Sequence, residues 1–164
     1  MEKLEREVLA VLKNDCRYSA EKIAVMLGEK EEAVTAAIRA LEKRGVIVKY
    51  AVTCNLDDEE DSRVEALIEV KVTPQTGSGF DGIAEEIASH EEVKHLYLMS
   101  GAYDFAVIVE SESVRSVARF ISECISTFEC VISTSTHFIL KKYKIEGALT
   151  KKRTSSHGRL SVQA

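Results

Sequence analysis

The 164-residue chain contains no run of about 18 apolar residues, so no transmembrane helix is expected. Its start, Met1-Glu2-Lys3-Leu4, is charged and lacks the apolar centre of a signal peptide; a cytoplasmic protein is the expectation. The four cysteines, Cys16, Cys54, Cys124 and Cys130, include no Cys-x-x-Cys pair and none of the spacings a zinc site needs. In a cytosolic chain they are expected as free thiols, with Cys124 and Cys130 in the core. No nucleophile motif, P-loop or dinucleotide fingerprint is present. His90, His95, His137 and His157 are scattered and form no ligand or acid/base set. The sequence therefore suggests no catalytic residue, no cofactor and no metal.

Positive charge is also short. The formal net charge is −5, which argues against a nucleic-acid partner if the charge is spread evenly. It is not spread evenly. Residues 1–55 sum to +1, residues 56–146 to −10 and residues 147–164 to +4. Most of the acid sits where it need not face phosphates.

What is present begins with Ser19 to Ile47. A helix over Leu4–Asn14 is expected from Leu4, Val8, Val11 and Leu12 at helical spacing. Ser19 is a good N-cap for a second helix with Ala20, Ile23, Ala24 and Leu27 inward, ended by Gly28. A third, about Glu31–Arg44, would bury Val34, Ile38 and Leu41 and stop at Gly45. Val46–Thr53 then reads as an extended strand. A glycine-stopped helix running into a β-branched strand is the pattern of a winged helix-turn-helix, which points to double-stranded DNA.

Five consecutive acids, Asp57 to Asp61, mark the natural boundary. The expected organisation is a DNA-binding domain over 1–55, an acidic linker over 56–63, a second domain over 64–146 and a disordered tail over 147–164. In the second domain Val64, Ala66, Ile68, Val70 and Val72 alternate as in a strand. Phe80, Ile83, Ala84 and Ile87 make a helical stripe. Val93–Met99 and Phe105–Val109 are short strands around the turn Ser100–Asp104. Ser113 opens a longer helix whose inward face runs through Val114, Val117, Ala118, Ile121, Ile125 and Phe128. Val131–Tyr143 is the last strand. Overall the chain reads as α+β: a winged helix-turn-helix followed by a ferredoxin-like βαββαβ domain with both helices on one face of the sheet.

Strand Phe105–Val109 is apolar on both sides, because Ala106 and Ile108 oppose Phe105, Val107 and Val109. In a two-layer fold this implies burial of the second sheet face, most simply in a C2 homodimer. A monomer with an apolar face is the alternative. A dimer would suit DNA, since two helices can read two half-sites about one turn apart.

Helix three is the expected recognition helix. Its outer side offers Thr35, Ala36, Arg39 and Lys43, with Lys30 and Lys49 at either end. Arg39 is the candidate for bidentate contact with guanine. Lys43, Arg44 and Lys49 are candidates for phosphates, which set position but not sequence. Taken singly, each reads equally well as a solvated surface charge.

Four places carry a resemblance: Arg17 and Ser19 before the second helix, Leu41-Glu42-Lys43-Arg44-Gly45-Val46-Ile47, the Tyr50–Asn55 strand, and Gly101-Ala102-Tyr103-Asp104 followed by an apolar strand. By these the chain resembles Lrp/AsnC-type, or feast/famine, regulators from Leu4 to Lys144. The resemblance implies an N-terminal DNA-reading domain and a C-terminal domain that binds a small effector, usually an amino acid. It also implies dimers formed through the C-terminal sheets that assemble further, often into octamers. The effector would sit between subunits at Met99, Ser100, Gly101, Ala102, Tyr103 and Asp104, with Thr134 and Thr136 as additions. Gly101 would allow close approach and positive φ, backbone N–H groups could hold an α-carboxylate, and Asp104 could take an α-ammonium. Taken alone, the turn is an ordinary reversal between paired strands.

The chain departs from the family at the start of the third helix, where Glu29-Lys30-Glu31-Glu32 replaces a Ser or Thr cap. Glutamates suit the helix dipole but repel phosphates, so weak DNA affinity per subunit is expected. Some proteins similar to this family are sirohaem decarboxylases, with a His-rich, Tyr-Asn-containing segment where this chain has Ser100–Asp104. Such an enzyme, and a ligand sensor that has lost DNA binding, are the alternatives.

Overall fold

Glu5 fixes the start of the chain. It lies one turn into the first helix, α1 (Lys3–Asn14), and its carboxylate accepts the Glu2 N–H at 3.0 Å. Val8 and Leu12 follow at helical spacing and are buried. Asp15 and Arg17 then turn the chain, the guanidinium gripping the carboxylate through Nε at 2.9 Å and Nη2 at 2.7 Å. The grip and the Arg17 N–H hold the Asp15 carboxyl down at about 2. Helix α2 (Ala20–Leu27) is capped as expected, the Ser19 hydroxyl accepting the Lys22 N–H at 3.2 Å. Gly28 closes it at φ +69°, a left-handed conformation costly for any residue with a Cβ. Helix α3 (Glu31–Lys43) has Glu31 and Glu32 in its first turn and Lys43 in its last, as the helix dipole favours. Val8, Leu12, Ile23, Ala24, Val34 and Ala37 form the core of this unit.

The computed structural model describes residues 1–54, 63–74 and 79–150. The chain divides into two compact units, Met1–Thr53 and Cys54–Ala164. The acidic stretch Asp57–Asp61 and residues 151–164 of the expected tail lie outside the described residues.

In the second unit β1 (Val64–Val72), α4 (Asp81–Ala88), β2 (Val93–Leu98), β3 (Phe105–Ser111), α5 (Val114–Glu123) and β4 (Val131–Phe138) follow in order. The strands form an antiparallel sheet in the order β2-β3-β1-β4, the split βαβ arrangement expected. Alternation does the sorting: Ala66, Ile68, Val70 and Val72 of β1 and Phe105, Val107 and Val109 of β3 turn to one face. There they meet Ile83 and Ile87 of α4 and Val117 and Phe120 of α5. The Phe80 ring stands edge-on to Phe105, centroids 5.8 Å apart.

Four expectations change. Val46–Thr53 enters no β-ladder, because a strand needs a partner and none of the described residues supplies one. Helix α5 ends at Glu123; the backbone tightens into a 3₁₀ turn, Ile125–Thr127, which still delivers Ile125 to the core. The last strand stops at Phe138, after which Lys142 turns back to pair with the Glu65 carboxylate. Finally, a hairpin, β5 (Lys144–Ile145) with β6 (Ala148–Leu149), runs across the expected domain end, turning at Gly147. Cys130 is the buried thiol, while Cys124 and Cys16 are half-buried and Cys54 is exposed.

The other sheet face is mixed. One row across the strands is His95, Ile108, Leu67 and His137; the next is Tyr97, Ala106, Glu69 and Ser135. The His95 ring stacks on Tyr97 at 5.9 Å, and His137 lies 3.5 Å from Glu69. No helix among the described residues is long and apolar enough to cross a membrane.

Candidate DNA-reading face and effector turn

With Val34, Ala37 and Leu41 buried, α3 must present the opposite side to solvent. That side carries Glu32, Ala36, Arg39 and Lys43, all exposed and spaced four, three and four residues apart. Ile38, expected inward, packs partly against the core, and Ala37 takes the fully inward place. Glu31, Glu32, Thr35, Ala36 and Arg39 line one shallow depression of about 370 Å³. Lys43 continues the stripe toward the helix end. Lys30 is the N-cap residue of α3, exposed, with no side-chain capping bond. Lys49 is exposed in the unpaired segment after the helix.

Arg44, expected to hold a phosphate, also carries an ion pair inside the unit. Its Nη2 lies 2.8 Å from the Glu5 carboxylate, and Glu5 is only 7% exposed. Arg44 thus ties the end of α3 to the start of α1. The Arg44 bond and the Glu2 N–H hold the Glu5 carboxyl below its ordinary value. A lowered carboxyl stabilises the fold above its ordinary value, near 4.5, and that stabilisation goes as the pH falls through the lowered one. Arg44→Ala should therefore lower the melting temperature by several degrees at neutral pH. In melts at acid pH, where Glu5 is protonated, the difference from the parent protein should vanish. A pH-independent difference would contradict the pairing.

The turn Met99–Asp104 joins β2 to β3. Its backbone is closed by the Met99 N–H on the Asp104 carbonyl at 2.7 Å. Ser100, Gly101 and Ala102 are exposed, and Tyr103 and Asp104 half-buried. Gly101 does not adopt the positive φ expected of it, and a Cβ built there would meet nothing within 4 Å. The fold itself does not require glycine at this position. Asp104 is not a free carboxylate either. Its Oδ2 accepts the Val72 N–H at 2.8 Å, and its own N–H donates to the Val70 carbonyl at 3.0 Å. These bonds pin the end of β1, where the register with β4 shifts between Lys71 and Val72.

Thr134 pairs with Val70 from the β4 side, and Phe105 pairs with it from the β3 side. Thr134 therefore lies at the same sheet end as the turn, two strand spacings (about 10 Å) from the start of β3. Thr136 lies one pair further, beside Ile68. Both threonines are half-buried. A cleft of about 700 Å³ lies at the opposite sheet end, lined by Arg63, His90, Glu92, Glu110, Arg119 and Cys124 among others. Burial there, with Glu92 and Glu123 nearby, pushes the Cys124 thiol up. Sequence reasoning gave no hint of this cleft, because its lining comes from four separate elements. Among the described residues no three His, Cys, Asp or Glu side chains are placed to hold a metal ion.

Known proteins share both units. Residues 1–48 match a family described as winged helix-turn-helix DNA-binding, and residues 65–149 match the Lrp/AsnC ligand binding domain. The chain is 45% identical over 146 residues to YugG of Bacillus subtilis, called an uncharacterized HTH-type transcriptional regulator, covering 87% of each protein. It is 29% identical to the HTH-type transcriptional regulator LysM of Saccharolobus solfataricus, covering 84% of this chain and 92% of that one. Among solved structures, the leucine response regulatory protein of Mycobacterium tuberculosis superposes with a TM-score of 0.75 at 22% identity, over 92% of this chain and 100% of that one. A Neisseria meningitidis transcriptional regulator solved as an L-Met complex gives 0.69 at 16%, over 88% and 93%. A winged helix-turn-helix and this ligand-binding domain occur here in one polypeptide, and the chain belongs to the Lrp/AsnC family of DNA-binding transcriptional regulators.

Proposed function

We propose that this regulator reads its operator with the exposed stripe of α3, acts as a two-fold homodimer closed through the outer sheet face, and responds to a small amino acid held at the turn Met99–Asp104. The observation that carries the reading is the pairing, in one chain, of an exposed α3 stripe with a sheet domain whose turn is accessible and glycine-bearing where its own fold does not need glycine. Arg39 and Thr35 are the base-facing residues, and Lys30, Lys43 and Lys49 engage phosphates. Arg44 supports the helix rather than the DNA.

Two features favour the dimer, from which larger assemblies up to an octamer are built. Ala106, Ile108 and Leu67 place an apolar strip at the middle of the outer sheet face, with polar groups on either side. Val46, Val48, Tyr50 and Val52 are exposed at every second position of the unpaired segment, a strand pattern that a second copy can satisfy. At the turn, the backbone of Ser100–Ala102 offers N–H groups to an α-carboxylate. Asp104 Oδ1 remains for an ammonium group, since Oδ2 is occupied by Val72. Thr134 stands on β4 at the same sheet end, with Thr136 one pair further, both on the face that carries Val70 and Ile68, and a second subunit closes the pocket. The protein works by binding and not by catalysis: its relatives are named as regulators, and Ser100–Asp104 holds no histidine. Its place is with the DNA, in the cytoplasm.

A thermal-shift screen with the amino acids tests the effector. A ligand at a hundredfold excess over its dissociation constant adds about 2.7 kcal/mol to the folded state, a shift of several degrees. Gly101→Ala should melt like the parent protein without ligand, because its Cβ meets nothing, yet lose most of the ligand-induced shift. An unchanged shift in Gly101→Ala would remove the turn from the site. No shift with any amino acid would overturn the effector class.

A further inference from the structure

The exposed stripe of α3 begins with an acid. Glu32 stands in line with Ala36, Arg39 and Lys43, on the side opposite the buried Val34, Ala37 and Leu41. Any docking of α3 that brings Arg39 to a base edge brings Glu32 toward the groove as well. The small Ala36 between them leaves a depression of about 370 Å³, so neither side chain shields the other. Neither Glu31 nor Glu32 nor Arg39 forms an ion pair among the described residues. Glu31 sits on the flank of the helix, a quarter-turn away, where it serves the helix dipole.

A carboxylate in the major groove has few welcoming places. Guanine presents two acceptors there and thymine an acceptor and a methyl group, so both repel or ignore it. Adenine presents an amino group beside an acceptor, which would face the second carboxylate oxygen. Cytosine presents its amino group with no neighbouring acceptor of its own. We propose that Glu32 is a base-reading residue of this regulator, accepting the exocyclic amino group of a cytosine while Arg39 reads a guanine further along the same groove. The proposal rests on α3 being the recognition helix and deepens that reading. Recognition helices of this motif contact base edges with their N-terminal residues, which is where Glu32 stands. Seven residues of helix separate Glu32 from Arg39, a rise of about 10 Å, or about three base steps of about 3.4 Å each. Repulsion of the other three bases gives selectivity at some cost in affinity, since the same carboxylate also repels phosphates.

The test is selection from a randomised double-stranded DNA pool with the full-length chain, its Glu32→Gln, Glu32→Ala and Glu31→Gln variants, and a thermal melt of each. The parent protein should enrich a half-site with a cytosine about three steps from a guanine, and replacing that cytosine should weaken binding about tenfold. Glu32→Gln should move the preference there to adenine, which glutamine reads bidentately. Glu32→Ala should flatten that position, bind non-specific duplex more tightly than the parent, and melt at nearly the same temperature. Glu31→Gln should keep the parent motif. A motif unchanged in both Glu32 variants would overturn the proposal and leave the α3 interface standing. Failure of the parent protein to retain any duplex above background would overturn the interface itself.

Discussion

Arg39→Ala should weaken binding of the full-length protein to its selected duplex by roughly ten- to a hundredfold, as expected for loss of one bidentate base contact, while leaving its melting temperature unchanged. Arg39 is exposed on the outer stripe of α3 and is ion-paired to nothing among the described residues. Its truncation therefore breaks no packing, and surface changes of this kind move stability by only about 0.5 kcal/mol. The lost affinity should be selective: the preference for one guanine per half-site should relax. Lys43→Ala, one turn further on, should behave differently. It should weaken binding to all sequences alike and reduce the slope of log affinity against log salt by about one. Titrations of both variants over a salt series separate the two roles. An Arg39→Ala protein that binds its operator as the parent does would remove α3 from the DNA interface.

What could be read from the sequence was what local chemistry decides. Ser19, Gly28 and Gly45 bound α2 and α3 because a hydroxyl cap and left-handed glycines act on their own helix ends. The sheet was legible because alternation in β1 and the turn at Ser100–Asp104 fix strand, face and direction together. What escaped depends on distant partners. The Glu5–Arg44 pair spans the whole first unit, and no local pattern marks a glutamate on an amphipathic helix as buried. Val46–Thr53 has the alternation of a strand but lacks a ladder, because pairing belongs to two segments and the described residues supply one. The end of α5 was hidden because Ile125 continues the apolar face through a 3₁₀ turn at nearly the same spacing. The helix-turn-helix half of the candidate site was visible as exposed residues on a helix wheel. The turn half was visible in composition, but its hydrogen bonds were not.

Those bonds set up a separable prediction at Asp104. Read as a ligand group alone, Asp104 could be removed without harm to the fold. The geometry says otherwise: its Oδ2 holds the N–H of Val72, a residue 4% exposed at the end of the central strand. Asp104→Ala would leave that buried donor without an acceptor, a cost of about 1–3 kcal/mol, and would loosen the register shift beside it. The melting temperature of the variant should fall by several degrees, with or without ligand. Asp104→Asn should behave differently, because an amide carbonyl can still accept the Val72 N–H. Its melting temperature should stay close to that of the parent protein, but the ligand-induced shift should be lost, since a neutral amide does not balance an ammonium group. Calorimetric titration of both variants with the amino acid found by thermal shift distinguishes the roles. If Asp104→Ala melts like the parent, the hydrogen bond does not hold β1. If Asp104→Asn binds as tightly as the parent, Asp104 is a clamp of the sheet only, and the ammonium partner must be sought elsewhere at that end, where Thr134 and Thr136 offer hydroxyls and no charge.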